Sequence, residues 1–205
     1  NMRTPAALIA GSIVPLALIT APEIKPSDTR MTKLFKKGNM LLAIFSLLHQ
    51  IIAITYSTMA INKIAELSYL PTAGVAEFLA MHHNLSWVGT NVHFLLGLFS
   101  FGCLAVAKPY FIYGKNLGNV AACWVGAATM FCISIVNKGI SMGSGSGTIK
   151  DTNSKIASNF AGLMIAYGKL LFTWSKGKLL PIMAFGLILL SFAPLKAILD
   201  SPDQD

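Results

Sequence analysis

The sequence predicts an all-α, multi-pass transmembrane bundle of about five spans with an apolar N-terminal arm, and three observations carry that expectation. Of the 205 residues, 54% are hydrophobic and only 12% are charged, whereas a soluble domain carries about 25% charge. Acidic residues are almost missing from the middle of the chain: between Glu77 and Asp200 only Asp151 occurs, although helices that face water normally mix both signs. Finally, apolar runs recur at close to the ~20 residues that a bilayer demands of a helix. No repeat is visible and the loops are too short for a further domain, so residues 1–205 read as one membrane domain: an arm and basic segment (1–40), helices (41–199) and an acidic tail (200–205).

The chain opens on Asn1 rather than methionine, as expected either of a processed chain that has lost a targeting peptide or of a sequence without its first residues. The stretch 5–21 is uncharged and apolar but holds Pro5, Gly11 and Pro15. It is short for a span and its prolines disfavour an uninterrupted helix, so a re-entrant or interface-lying arm is expected. Four runs, 41–60, 87–107, 120–136 and 179–199, read as spans, the last fraying at Pro194 and Lys196. A fifth, 157–174, is interrupted by Asn159, Tyr167 and Lys169, which must face protein or, for the lysine, snorkel to an interface. The GSGSG run 143–147 lacks the Lys-Ser/Thr of a phosphate loop and reads as a linker.

Five spans divide the basic residues unevenly. One side collects Arg3, Lys25, Arg30, Lys33, Lys36, Lys37, Lys108, Lys115, Lys176 and Lys178, ten in all, and the other receives five, Lys63, Lys138, Lys150, Lys155 and Lys196, with the acidic tail. The richer side is expected to be cytoplasm-like. The net charge of +8 thus has a topological reading, with attraction to anionic lipid; nucleic acid is not an expected partner, because the basic residues form no face with interleaved aromatics.

The spans contain no Asp or Glu, which removes the ground for hydrolase, metalloprotease and ion-coupled carrier chemistry. Cys103, Cys123 and Cys132 have no metal or redox spacing and read as small core residues. The histidines remain. His49 and His93 lie inside the first two spans, and His82 and His83 precede the second near Trp87 as further candidate nitrogen ligands at an interface, although adjacent histidines point about 100° apart on a helix and chelate one metal poorly. Asn84-Leu85-Ser86 also forms a glycosylation sequon, a three-residue pattern that carries little weight.

Gly89 and Gly97 flank His93 by four residues on each side, with Ser100 on the same face. Such a shelf admits a planar macrocycle, with His93 as axial ligand to chlorophyll magnesium or haem iron. Small residues at this spacing equally serve close helix packing in lipid, and both readings stand. His49 has bulkier neighbours, Phe45 and Ala53, with Gln50 beside it, and reads as either a ligand or a hydrogen-bonded core histidine. Counted from the basic side at 1.5 Å per residue, His49 lies roughly 12–16 Å deep and His93 roughly 21 Å. That mismatch favours separate ligands to separate pigments over one bis-histidine haem.

Short spans, intramembrane histidines flanked by glycine (Gly89, His93, Gly97, with Asn91 and His49), an interfacial Trp87 and a processed start together resemble small accessory subunits of photosystems. The likeness covers mainly residues 41–137. The chain does not resemble the three-helix chlorophyll-binding antenna family, since no Glu or Arg stands in its spans to ligate chlorophyll and lock crossed helices. The resemblance implies a plastid thylakoid location, chlorophyll and carotenoid as ligands, other membrane subunits as partners, and a non-catalytic role bridging core and antenna. A haem b electron carrier, a supernumerary subunit of a respiratory complex in the mitochondrial inner membrane, and a small-solute carrier are the alternatives.

Overall fold

The computed structural model describes residues 3–15, 22–66, 84–143, 159–173 and 179–200, and among these the regular elements are all helices: α1 (Arg3–Ile13), α2 (Arg30–Glu66), α3 (Asn84–Tyr113), α4 (Lys115–Gly143), α5 (Phe160–Thr173) and α6 (Leu179–Asp200). Three of them are long and apolar enough to cross a membrane, over Arg30–Asn62, Leu85–Tyr113 and Lys115–Asn137. At 1.5 Å per residue they run roughly 35–50 Å, beyond the ~30 Å of a hydrocarbon core. They overrun the apolar runs in the sequence because hydropathy marks only the part in hydrocarbon, while backbone hydrogen bonding continues into the interface.

The last two helices are less regular candidates. α5 has 14 residues, about 21 Å, and begins where Asn159 Oδ1 accepts the Gly162 N–H at 2.8 Å, the N-cap role natural to asparagine. α6 does not fray at Pro194 and Lys196 but continues to Asp200. Proline removes one backbone donor, a defect that helices in membranes absorb.

Within the N-terminal arm the described helix, α1, has 11 residues, about 16 Å, and residues 16–21 of the arm lie outside the described residues. Pro5 falls in its first turn, where no N–H donor is needed. α1 docks on α2 and touches α3, with Ile13 buried against Ala43 and Leu104. The connection to α2 is tied at its end: the Lys25 N–H donates to Asp28 Oδ2 at 2.8 Å, Lys36 Nζ donates to Asp28 Oδ2 and to the Glu23 carbonyl, and Thr29 Oγ1 accepts the Thr32 N–H at the start of α2.

α2 and α3 make the central pair. The buried positions of α2 include Asn39, Ala43, Ser46, Gln50, Ala53 and Ser57, spaced four, three, four, three and four. This is a single stripe at helical period, built from small and polar residues. It lets α2 approach the glycines of α3: a methyl group on Gly97 would stand 2.9 Å from Gln50 Cδ, and one on Gly89 would stand 3.0 Å from Tyr56 Cδ2. Ser46 Oγ donates across the seam to the Gly97 carbonyl at 2.7 Å.

α3 turns into α4 through the single residue Gly114, at φ 89°, where a side chain would be strained. Gly118, one turn on, packs so closely on Tyr110 that a Cβ would come within 2.9 Å of the Tyr110 Cα. α5 covers the other flank of α3, burying Leu163 against Val88 and Val92, and Asn137 of α4 accepts the Phe160 N–H at 2.9 Å. α6 stands outside, meeting α5 at Phe172 and Phe185, and none of its described side chains is buried.

Candidate functional site

Two histidines inside the long apolar helices meet. His49 is 19 residues from Arg30 at the start of α2, and His93 is 20 residues from Tyr113 at the end of α3. Measured from these helix ends the two lie about 28 and 30 Å along, at one level. The depth mismatch read from the sequence is therefore corrected: it arose from taking 41 and 107 as the span ends, when the helices run on by unequal lengths. His49 Nδ1 and His93 Nδ1 are 2.6 Å apart, with ring centroids at 4.8 Å.

From His93 the contact continues. His93 Nε2 lies 2.7 Å from the Tyr167 hydroxyl of α5, which lies 3.3 Å from the Tyr56 hydroxyl of α2. The Tyr56 ring stacks on His93 at 6.1 Å and the Tyr167 ring stands perpendicular to it at 5.0 Å. His93 is 7% exposed and is boxed by side chains from two other helices. Four residues thus form one hydrogen-bonded chain, His49–His93–Tyr167–Tyr56, that pins three helices together.

The chain has two possible polarities. A neutral imidazole carries one N–H and one lone pair, so if His93 accepts at Nδ1 it must donate at Nε2, and the reverse. Each choice fixes the roles of His49 and the Tyr167 hydroxyl as well. Gln50 lies beside this chain. Its Nε2 donates to the Phe94 carbonyl at 3.3 Å, and Oε1 is a buried acceptor that lacks a partner among the described residues.

No family model, curated protein or solved structure matches the chain. The chemistry of the site therefore rests on its geometry.

A macrocycle does not fit the face that the sequence offered. The shelf at Gly89 is filled by Tyr56 and Tyr167, and that at Gly97 by Gln50, so of the two readings the glycines serve close packing. Both nitrogens of His93 are engaged, leaving no lone pair for an axial bond. A single haem between the two histidines also fails, because two metal–nitrogen bonds of about 2.0–2.1 Å each need far more than the 2.6 Å separating the Nδ1 atoms. Among the described residues, no group of three or more His, Cys, Asp or Glu side chains is placed to hold a metal ion.

His82 and His83 lie outside the described residues. Several polar side chains of the helices bond to nearby backbone. Asn91 donates to the Trp87 carbonyl and Ser100 to the Leu96 carbonyl, while Asn137 and Asn159 serve the start of α5. Cys103 and Cys123 are exposed rather than in the core. Among the residues that build the site, sequence reasoning named Tyr167 only as an interruption and Gln50 only as a neighbour, and it passed over Ser46 and Tyr56. The available signal was periodicity: 46, 50, 53 and 57 share one face of α2, and 49 and 56 share the adjoining one.

Proposed function

We propose that the chain is a non-catalytic integral membrane subunit of a photosynthetic pigment–protein assembly, with α5 and α6 as fourth and fifth spans, in a plastid thylakoid membrane. The observation that carries this reading is how its polar chemistry is spent. The side chains able to act on a substrate are closed on one another as pins between α2, α3 and α5, no carboxylate stands in the expected spans, and α4 and α6 present broad apolar faces, with Trp124, Phe131, Leu187 and Leu190 each more than half exposed. A rigid bundle with such faces suits docking between larger membrane subunits, with chlorophyll and carotenoid on its outside.

The test is to tag the full chain in its native host, extract the membranes gently, and separate the complexes on a native gel. Co-migration with a chlorophyll-bearing band supports the reading. Co-migration with a colourless respiratory complex, or a Soret band that shifts on reduction with no chlorophyll, overturns it in favour of a respiratory subunit or a haem carrier.

A further inference from the structure

The two ends of the hydrogen-bonded chain differ. His49 uses Nδ1 toward His93, but its Nε2 makes no hydrogen bond to any described residue. The ring is half-buried and stands against the exposed Phe45, whose ring meets it edge-on at 4.1 Å. His49 lies well inside the apolar segment Arg30–Asn62, where no water replaces a missing partner and an unsatisfied polar nitrogen is costly.

We propose that His49, not His93, is the axial ligand of a planar metal macrocycle held on the outer face of α2, and that His93, Tyr167 and Tyr56 fix its tautomer. This rests on the reading of the chain as part of a pigment-bearing assembly. An imidazole binds a metal through a bare nitrogen, so ligation at Nε2 places the His49 proton on Nδ1. The acceptor for that proton is His93 Nδ1 at 2.6 Å. His93 then carries its proton on Nε2 and donates to the Tyr167 oxygen at 2.7 Å, and the Tyr167 O–H turns toward Tyr56.

One polarity satisfies every member, and binding selects it. Ligating histidines characteristically donate their second ring N–H to an orienting partner, and loss of that partner lowers metal affinity about 10–100-fold. Phe45, Leu48 and Ile51, each between 45% and 53% exposed, supply apolar surface around His49 for the rim of the ring system. Chlorophyll and haem b share the required chemistry, a planar macrocycle with an open axial position on its metal.

The experiment counts macrocycles per assembly in the tagged native complex, by pigment extraction for chlorophyll and by a pyridine haemochrome for haem. His49→Leu is expected to lose one macrocycle, of the type that identifies the ligand. Tyr167→Phe is expected to keep it with weakened retention, seen as faster loss during detergent washing. An unchanged count in an incorporated His49→Leu chain overturns the assignment, as does loss with His93→Leu but not with His49→Leu. Should the leucine variant fail to assemble, His49→Gly decides: recovery of the macrocycle on adding imidazole supports ligation, while full occupancy without imidazole, or a loss that imidazole does not repair, overturns it. If the unmodified chain is absent from every pigmented band, the functional reading itself has failed. If it is present and His49→Leu keeps the count, only the ligand assignment has.

Discussion

The α2–α3–α5 seam and the α4 and α6 faces are made of similar apolar helices, yet they treat side chains in opposite ways. On the seam, Ser46, Gln50, His93 and Ser100 are buried and tied by hydrogen bonds, the first two and Ser100 to backbone carbonyls and His93 to His49 and Tyr167. Among the residues of α4 whose burial is described only Gly118 is buried, and among those of α6 none is. Lipid tails are as apolar as leucine, so burying leucine between helices gains little in a membrane; close backbone approach and hydrogen bonds hold helices together instead. The seam is thus where stability is concentrated, and the outer faces are where partners or lipid are free to vary.

The sharpest way to break that contrast is through glycine. Gly97→Leu drives a side chain into Gln50, whose Cδ is already 2.9 Å from where a Cβ would stand. It is expected to destabilise the purified chain by about 3 kcal/mol, the upper range for overpacking. Gly126→Leu on α4 meets nothing within 4 Å and is expected not to destabilise, with up to ~1 kcal/mol gained from the better helix propensity of leucine. Equal effects in a detergent unfolding titration would erase the distinction between seam and face.

A smaller effect tests the hydrogen bonds themselves. Tyr167→Phe removes the group facing His93 Nε2 and Tyr56. Coupling between His93 and Tyr167 in a double-mutant cycle is expected near the ~0.6 kcal/mol average for membrane hydrogen bonds, with ~1.7 as the ceiling. Additive single mutants would mean that the chain orients side chains without binding the helices. Gln50→Leu is expected to be smaller still, within ~1 kcal/mol of neutral. It removes a bond to Phe94 but also a buried acceptor with no partner, and replacing an imperfectly satisfied polar group by an apolar one of similar shape costs little.

The two regions were not equally legible in the sequence. The long apolar helices were, because hydropathy over twenty residues sums many small terms in one direction. The glycines at 89 and 97 pointed to a face that approaches something closely, but not to what, since a macrocycle and a neighbouring helix require the same absence of Cβ. The meeting of His49 and His93 was hidden because it depends on helix ends, and those lie in basic turns such as Arg30–Lys37 that carry no hydropathy signal. Tyr167 joined the site through tertiary packing across α5, which periodicity within one helix does not encode.

At the N-terminal end of α2, away from the seam, the contrast predicts the most local effect. The Asp28 carboxylate is held below its usual range first by the hydrogen bond from Lys36 and then by the Lys25 N–H. A depressed native value means that the charged form is favoured on folding, so the contribution is complete above the unfolded aspartate value of about 3.9. It is lost as pH falls from there through the native value. The two side chains are 10% and 14% exposed and the contact is confined to the entry to α2, so its effect is expected to be local: lower amide protection in the first turns of α2 on acidification, after correction for the intrinsic pH dependence of exchange, with the histidine seam unaffected. Asp28→Asn should show that lower protection already at neutral pH and flatten its dependence on acid. If the acid response survives in Asp28→Asn, another carboxylate, with Glu23 the nearest in sequence, anchors the entry to α2 instead.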